Sequence, residues 1–286
     1  MKANKSSVLK KHPKVFRHLT GLTVEKFEEL LHTLNPIYND AEEKRLYKSN
    51  RQRAQGGGRN QKLSLEDKLV LLLMYYRLYI THELLGFMFN LHNSNVSRQI
   101  NYLQPLLAKI FRIPTRRIKL SEVDLTEEQI ITLFVDATDQ HIQRPQSKQK
   151  KYYSGKKKKH TIKNQVVVNS HGKILSVSKS HPGAVHDKKM YDGTHIYADR
   201  KTKPHGDLGY FGVNTMELPI KKPKGKELTD EQKQFNRTLA RLRIVVEHSI
   251  GKMKIFQILA QRFRNSLDTH SLIFKNVAGI HNLMFS

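Results

Sequence analysis

The apolar residues change their spacing once along the 286-residue chain, and that change limits it to two kinds of fold joined in series. Between about residues 62 and 112 they recur every three or four positions, the period of packed helices. Past about residue 125, short β-branched runs alternate with turns, and one long helical stripe comes last. A helical unit followed by an α/β or α+β layer structure is therefore expected. The chain exceeds the usual size of one domain, and its 38% hydrophobic content is enough to bury a core. Residues 1–61 read as a basic N-terminal arm ending in RQRAQGGGRNQ, where Gly56 to Gly58 suit a joint.

Residues 62–112 read as three helices. Ser64 suits an N-cap, with Asp67 three residues on as a weak capping box, and Leu69, Leu72, Leu73 and Tyr76 give that helix a buried face. Thr81 caps a short second helix through Phe89; a tight turn over Asn90–Asn93 follows, and a third helix starts near Ser94. Val96, Ile100, Leu103 and Leu107 point inward, while Ser94, Asn95, Ser97, Arg98 and Asn101 point outward near the start. This is the pattern of a helix-turn-helix, whose outward residues reach base edges and phosphates, and equally of a plain three-helix bundle.

Charge bears on that choice. Lys and Arg number 51 against 25 Asp and Glu, a formal net charge of +26. Self-repulsion on this scale is relieved by a polyanion, and double-stranded DNA is the first partner to consider, because phosphate contacts release counterions. An anionic membrane surface and the ribosome are the other polyanions. The absence of cysteine removes disulfides and thiolate metal sites. The start, MKANKSSVLKKHPKVF, lacks the apolar core of a secretory signal, and the run LVLLLMYY is too short to span a bilayer. A cytoplasmic, nucleoid-associated protein with no membrane partner is the expectation.

In the second part, QIITLFVD reads as a buried strand ending at Asp136. HTIKNQVVVN, a turn at His171-Gly172 and KILSVSKS form a β-hairpin, HPGAVHDKKMYD opens a short helix after Pro182, and a further short strand is expected near MELPIKK. Thr229 and Gln232 form a capping box for a helix running to about residue 262, with Phe235, Leu239, Leu242, Val246, Ile250, Met253 and Phe256 along one stripe.

Asp136, where the strand gives way to ATDQHIQRP, is either a turn residue or a carboxylate aimed into a crevice. Arg243, Glu247 and Lys254 share one line of the long helix, within about 40° at 100° per residue, and Gly251 leaves that line open. An exposed Arg243–Glu247 pair would be worth only about 0.3 kcal/mol. Phosphodiester cleavage accounts for more of the set. Two Mg²⁺-like ions roughly 4 Å apart need about three carboxylates to hold them, and basic neighbours then hold the phosphates.

The stretches VDATDQHIQRP, KYYSGKKKKHTIKNQ, HPGAVHDKK, GDLGYFGV and LPIKKPKGKELTDEQKQFNRTLARLRIVVEHSIGKMK resemble the DDE transposases of the insertion-sequence-five type, which are related to Harbinger-like elements. The family's Tyr-Arg-Glu-Lys spacing falls on Ala240, Arg243, Glu247 and Lys254, with alanine in place of the tyrosine. The resemblance implies a ribonuclease H-like domain over 125–286, with a mixed central sheet flanked by helices, preceded by the helix-turn-helix. It implies catalytic, metal-holding Asp136, Asp207 and Glu247, with Asp136 on the first strand, the second Asp on a later strand and Glu247 on the covering helix. The cofactor it implies is a pair of divalent ions, Mg²⁺ with Mn²⁺ as a substitute. Asp207 carries the family's Asp-x-Gly-Tyr pattern, whereas Asp199 follows the better strand, HIYA. Asp187 is an auxiliary metal candidate or the cap of the helix it opens. Lys156, Lys157, Lys158 and Lys159 are either a solvated loop or a contact to the DNA backbone.

A transposase would bind its element's terminal inverted repeats, hydrolyse a phosphodiester and join the freed 3′-hydroxyl to target DNA, as a dimer or larger assembly holding two ends. A DNA-binding regulator descended from such an enzyme, without cutting activity, is the alternative; a stand-alone nuclease is a third.

Overall fold

The computed structural model describes residues 5–47, 61–115, 118–119, 132–193, 196–197 and 204–285. The Gly56–Gly58 joint and Asp199 lie outside the described residues. The chain divides into two compact units, Met1–Arg112 with Phe256–Ile258, and Ile113–Ile255 with Leu259–Ser286.

The first unit is all helical: α1 (Lys5–Lys10), α2 (Pro13–Thr20), α3 (Val24–Leu46), α4 (Leu65–Leu78), α5 (His82–Phe89) and α6 (Asn93–Phe111). The expected N-terminal arm is corrected here, because α1 to α3 are folded and carry buried Phe16, Phe27, Leu30, Leu34 and Tyr38. The cause lies in α4, which is buried on every side from Asp67 to Tyr76 rather than on one face. A helix that is apolar all round needs covering all round, and the first 46 residues supply the cover. The two charged residues of that buried span have partners there. Asp67 Oδ1 accepts from the Ser6 backbone N–H at 2.8 Å, and Lys68 Nζ donates to the Tyr38 hydroxyl.

In α4 and α5 the N-caps form as the sequence reading placed them, except that the Asp67 carboxylate bonds Ser6 instead of completing a capping box; α6 starts at Asn93, capped by His92. The Ser64 and Thr81 hydroxyls accept from the N–H groups of Asp67 and Leu84. Asn90 takes a left-handed conformation at the end of α5, and a Cβ on Gly86 would lie 2.5 Å from the Leu91 carbonyl oxygen, so only glycine lets the turn fold this closely. Val96, Ile100, Leu103 and Leu107 are buried as expected.

The second unit is organised around one strand. Its elements are β1 (Ile118–Lys119), β2 (Leu133–His141), α7 (Gln149–Tyr152), β3 (Tyr153–Ser154), β4 (Lys159–Asn169), β5 (Ile174–Val177), β6 (His181–Pro182), α8 (Asp187–Asp192), β7 (Ile196–Tyr197), α9 (Asp230–Lys254), α10 (Gln257–Ala260) and α11 (His270–Phe285). β4 pairs antiparallel with β2 along its whole inner length and offers its other edge to β3, β6 and β5 in turn. β1 and β7 pair parallel as a separate two-stranded sheet, and the five-stranded sheet, antiparallel through its named strands, takes a parallel bridge from His205 onto Phe134 of β2. The sheet is therefore mixed, and α9 and α11 pack on its strands.

Four local expectations change. β2 continues past Asp136 to His141, so that acid lies within the strand rather than at its end. The helix after Pro182 starts only at Asp187, since His181–Pro182 pair with β4 first. MELPIKK contributes a single bridge at Glu217 instead of a strand. The long helix stops at Lys254, and Phe235 and Leu242 are exposed while Leu239, Val246, Ile250 and Met253 are buried. A polar network fastens α11 to the sheet: His270 bonds Ser180 Oγ through Nδ1 and Gln140 Oε1 through Nε2, both at 2.7 Å.

Candidate active site

Asp136 and Asp207 meet because a piece of chain with almost no strand character lies parallel to β2. His205 donates its N–H to the Leu133 carbonyl at 2.7 Å and accepts from the Val135 N–H at 2.9 Å. His205 stands opposite Phe134, and Asp207 follows two residues on, near enough for its charge to act on Asp136. Asp207 then caps a 3-10 turn over Leu208–Tyr210, its Oδ1 accepting from the Gly209 N–H at 2.8 Å. Asp207, expected on a strand, thus follows a one-residue bridge instead.

The third acid arrives from α9. Burial pushes the Asp136 carboxyl up to about 6; the Ala137 N–H and Arg243 oppose the shift, and the charges of Asp207 and Glu247 add to it. Those two charges bear on Asp136 only because all three acids occupy one neighbourhood. Among the described residues, however, no three His, Asp or Glu side chains close on a single point as metal ligands do. Mutual repulsion of like charges opposes such closure. The donor set itself fits a hard divalent cation, being all oxygen and already raising the pKa of one member.

Asp187 lies against the same turn. A Cβ on Gly209 would sit 2.7 Å from Asp187 Oδ2 and 2.8 Å from Asp207 Oδ1, so the bare backbone of Gly209 separates the two carboxylates. The reading of Asp187 as a helix cap is corrected: His186 holds that position without a side-chain bond, and Asp187 Oδ1 accepts from Lys163 Nζ at 2.9 Å. Tyr210 is fully buried beside them, in a cluster with Val135, Val167, Tyr191, Val213 and Met216, and its hydroxyl has no hydrogen-bond partner. Burial raises that phenol well above its usual value, with the charges of Asp187, Asp136 and Asp207 adding.

Basic groups border the acids. Arg243 is half-buried, and its Nε–H is enclosed without an acceptor. Burial lowers the Lys254 pKa, with Lys157 adding to the shift and Asp139 and Asp136 opposing it. Lys156 to Lys158 form the turn between β3 and β4, and Lys159 begins β4; all four are exposed, and Lys157 faces the field of Lys254. A Cβ at Gly251 would meet nothing within 4 Å, so the line of Glu247 stays open. In the first unit Ser94, Arg98 and Asn101 are exposed and Asn95 and Ser97 half-buried at the start of α6, with Arg98 donating to Asn95 Oδ1 at 2.9 Å. Sequence reasoning assigned no role to Lys163 or Tyr210, although both stand in stretches that it singled out, HTIKNQ and GDLGYFGV.

Residues 135–282 match the family described as DDE superfamily endonuclease, and residues 61–113 match the helix-turn-helix of DDE superfamily endonuclease. The chain is 32% identical over 267 residues to a Microchaete diplosiphon protein described as "Probable transposase for insertion sequence element IS702", covering 91% of this chain and 95% of that one. It is 26% identical over 230 residues to a Streptomyces albus G protein described as "Putative transposase for insertion sequence element IS112", covering 79% of this chain and 82% of that one. No solved structure matches. Among the described residues, no helix is long and apolar enough to cross a membrane.

Proposed function

Since the chain belongs to the DDE superfamily of transposase endonucleases, we propose that it cuts the ends of its own element and joins them to target DNA, using Asp136, Asp207 and Glu247. The observation that carries this reading is the raised Asp136 carboxyl, held up by burial and by the charges of Asp207 and Glu247. A ribonuclease H-like fold of the insertion-sequence-five type accords with the mixed sheet covered by α9 and α11.

Asp136, Asp207 and Glu247 would hold two Mg²⁺ ions, for which Mn²⁺ substitutes, with Asp187 as an auxiliary oxygen donor. Bound there, the ions supply activation of the attacking oxygen and neutralise charge on the scissile phosphate. The chain's own residues hold the DNA. The enclosed Nε–H of Arg243 and the ammonium of Lys254 stand beside the acids, where a phosphate entering the site would take up their hydrogen bonds. Lys156 to Lys159 line the approach and add affinity with little sequence preference. Ser94, Asn95, Ser97, Arg98 and Asn101 on α6 read the terminal inverted repeats from the major groove. Water is the first nucleophile: its attack on phosphorus breaks the P–O3′ bond of one strand, leaving a 3′-hydroxyl on one fragment of that strand and a 5′-phosphate on the other fragment. The 3′-hydroxyl is the second nucleophile, exchanging one phosphodiester for another in the target. Two ends enter one reaction, so at least a dimer assembles on DNA, in the cytoplasm at the nucleoid.

The test is an Asp136→Ala variant on duplexes carrying the element's ends. Gel-shift binding persists and Mg²⁺-dependent nicking disappears if the reading holds. A wild type that binds those ends but never nicks them with Mg²⁺ or Mn²⁺ replaces it with a DNA-binding regulator, and nicked products without joined ones indicate a stand-alone nuclease.

A further inference from the structure

Asp187, Asp207 and Glu247 gather around Asp136 within β2, and one of them, Asp187, has a built-in counter-ion. Lys163 projects from β4 at the position paired with Asp139, and its side chain is only 13% exposed. Its Nζ donates to Asp187 Oδ1 at 2.9 Å and to the Val185 carbonyl at 3.1 Å. The other oxygen of the same carboxylate, Oδ2, comes up to the side-chain position that Gly209 leaves empty, where Asp207 Oδ1 also stands. The two oxygens of Asp187 therefore have different tasks: one is tied to an ammonium, and one is turned toward the neighbouring acids. The Tyr210 hydroxyl, enclosed and unpartnered, lies close enough to feel the charges of Asp187, Asp136 and Asp207.

We infer that Lys163 is a positioning residue, the resident counter-ion that keeps the acidic centre assembled and Asp187 correctly turned before divalent metal enters. This rests on the proposed function, in that the centre is taken to bind divalent cations. Without such a charge, gathering Asp136, Asp187, Asp207 and Glu247 is opposed by their repulsion, and an ammonium anchored through a backbone carbonyl offsets part of it. A cation bound later supplements the charge of Lys163, so the two stabilise the same arrangement.

The experiment compares thermal melting of the full-length chain in EDTA and in Mg²⁺ for the wild type, Lys163→Met, Lys163→Arg and Lys163→Met/Asp187→Asn, with Mn²⁺ binding followed by titration calorimetry. Lys163→Met is expected to lower Tm by about 5 °C in EDTA and to recover most of that loss in Mg²⁺, giving a larger metal-induced rise than wild type. Lys163→Arg keeps the charge and melts near wild type. The double variant, with the stranded charge removed, regains much of the loss in EDTA. A Lys163→Met variant that loses as much in Mg²⁺ as in EDTA overturns the inference, because a merely structural ion pair behaves that way. A wild type whose melting and calorimetry ignore both Mg²⁺ and Mn²⁺ overturns the metal-binding reading, and this inference with it.

Discussion

Replacing Asp136 with asparagine should make the chain more stable while abolishing catalysis, and the size of the gain can be worked out from its surroundings. The folded protein raises the Asp136 carboxyl from 3.8 to about 6. At about 1.4 kcal/mol per pH unit, the ionised group weakens the fold by about 2–3 kcal/mol once it is fully charged. The sign follows from proton binding. Between its ordinary value and about 6 the folded chain keeps a proton that the unfolded chain has lost, so stability falls as pH rises through that window. Asparagine cannot ionise and retains a side-chain oxygen for the Ala137 N–H, which Asp136 Oδ1 accepts at 2.8 Å. In EDTA near about pH 7.5, Asp136→Asn should melt on the order of 5–10 °C above wild type. Near about pH 5, where the wild-type group is mostly protonated, about half of that gain should remain. Comparing two variants at each pH cancels the other titrating groups. Scanning calorimetry reads the result directly. An asparagine variant that melts at or below wild type near neutrality, or gains as much near about pH 5, would show that Asp136 is neither buried nor crowded by Asp207 and Glu247.

Two further outcomes follow from other parts of the second unit. Gly209→Ala inserts a carbon between Asp187 and Asp207, at 2.7 and 2.8 Å from their oxygens, and should reduce nicking by at least about 10²-fold with gel-shift affinity unchanged; full activity in a strand-cleavage assay refutes the close packing. Burial depresses His270 to about 3, so its neutral form stabilises the fold above the unfolded value of about 6.5, and that stability is lost as pH falls toward about 3. His270→Gln should flatten this acid loss in urea melts taken between about pH 7 and 4, and an unchanged slope would assign the loss to other groups.

How much of this was legible in the sequence depended on how local its causes are. The caps at Ser64, Thr81 and Thr229 each need only a residue three positions on, and all three form as read. The burial of α4 on every side could not be read from its own residues, since Asp67 and Lys68 look like surface charges until Ser6 and Tyr38 reach them from far along the chain. Excess charge also hid the first helices, although Thr23 followed by Phe27, Leu30 and Leu34 carries an ordinary cap and stripe. At the site, Asp136 and Glu247 stand on regular elements with strong patterns. Asp207 does not: KTKPH has no strand pattern, and its place is fixed by two backbone hydrogen bonds of His205 to β2. Only the motif GDLGYFG marked it. The end of α9 was misread for a related reason, because Phe256 continues the helical stripe while packing elsewhere.

That misplaced phenylalanine affects how the helix-turn-helix can be studied alone. Phe256 lies with the first unit: its ring is fully buried against Gly21, and the Arg77 guanidinium sits 5.6 Å above it. A fragment ending at Arg112 would leave a ring-sized hole beneath α2 and α4, of the kind that removes about 3–5 kcal/mol when a core Phe becomes Ala. Weak DNA binding by such a fragment would then report a loosened scaffold and say little about the side chains of α6. Supplying the Phe256–Ile258 segment as a tethered peptide would give the fairer measurement.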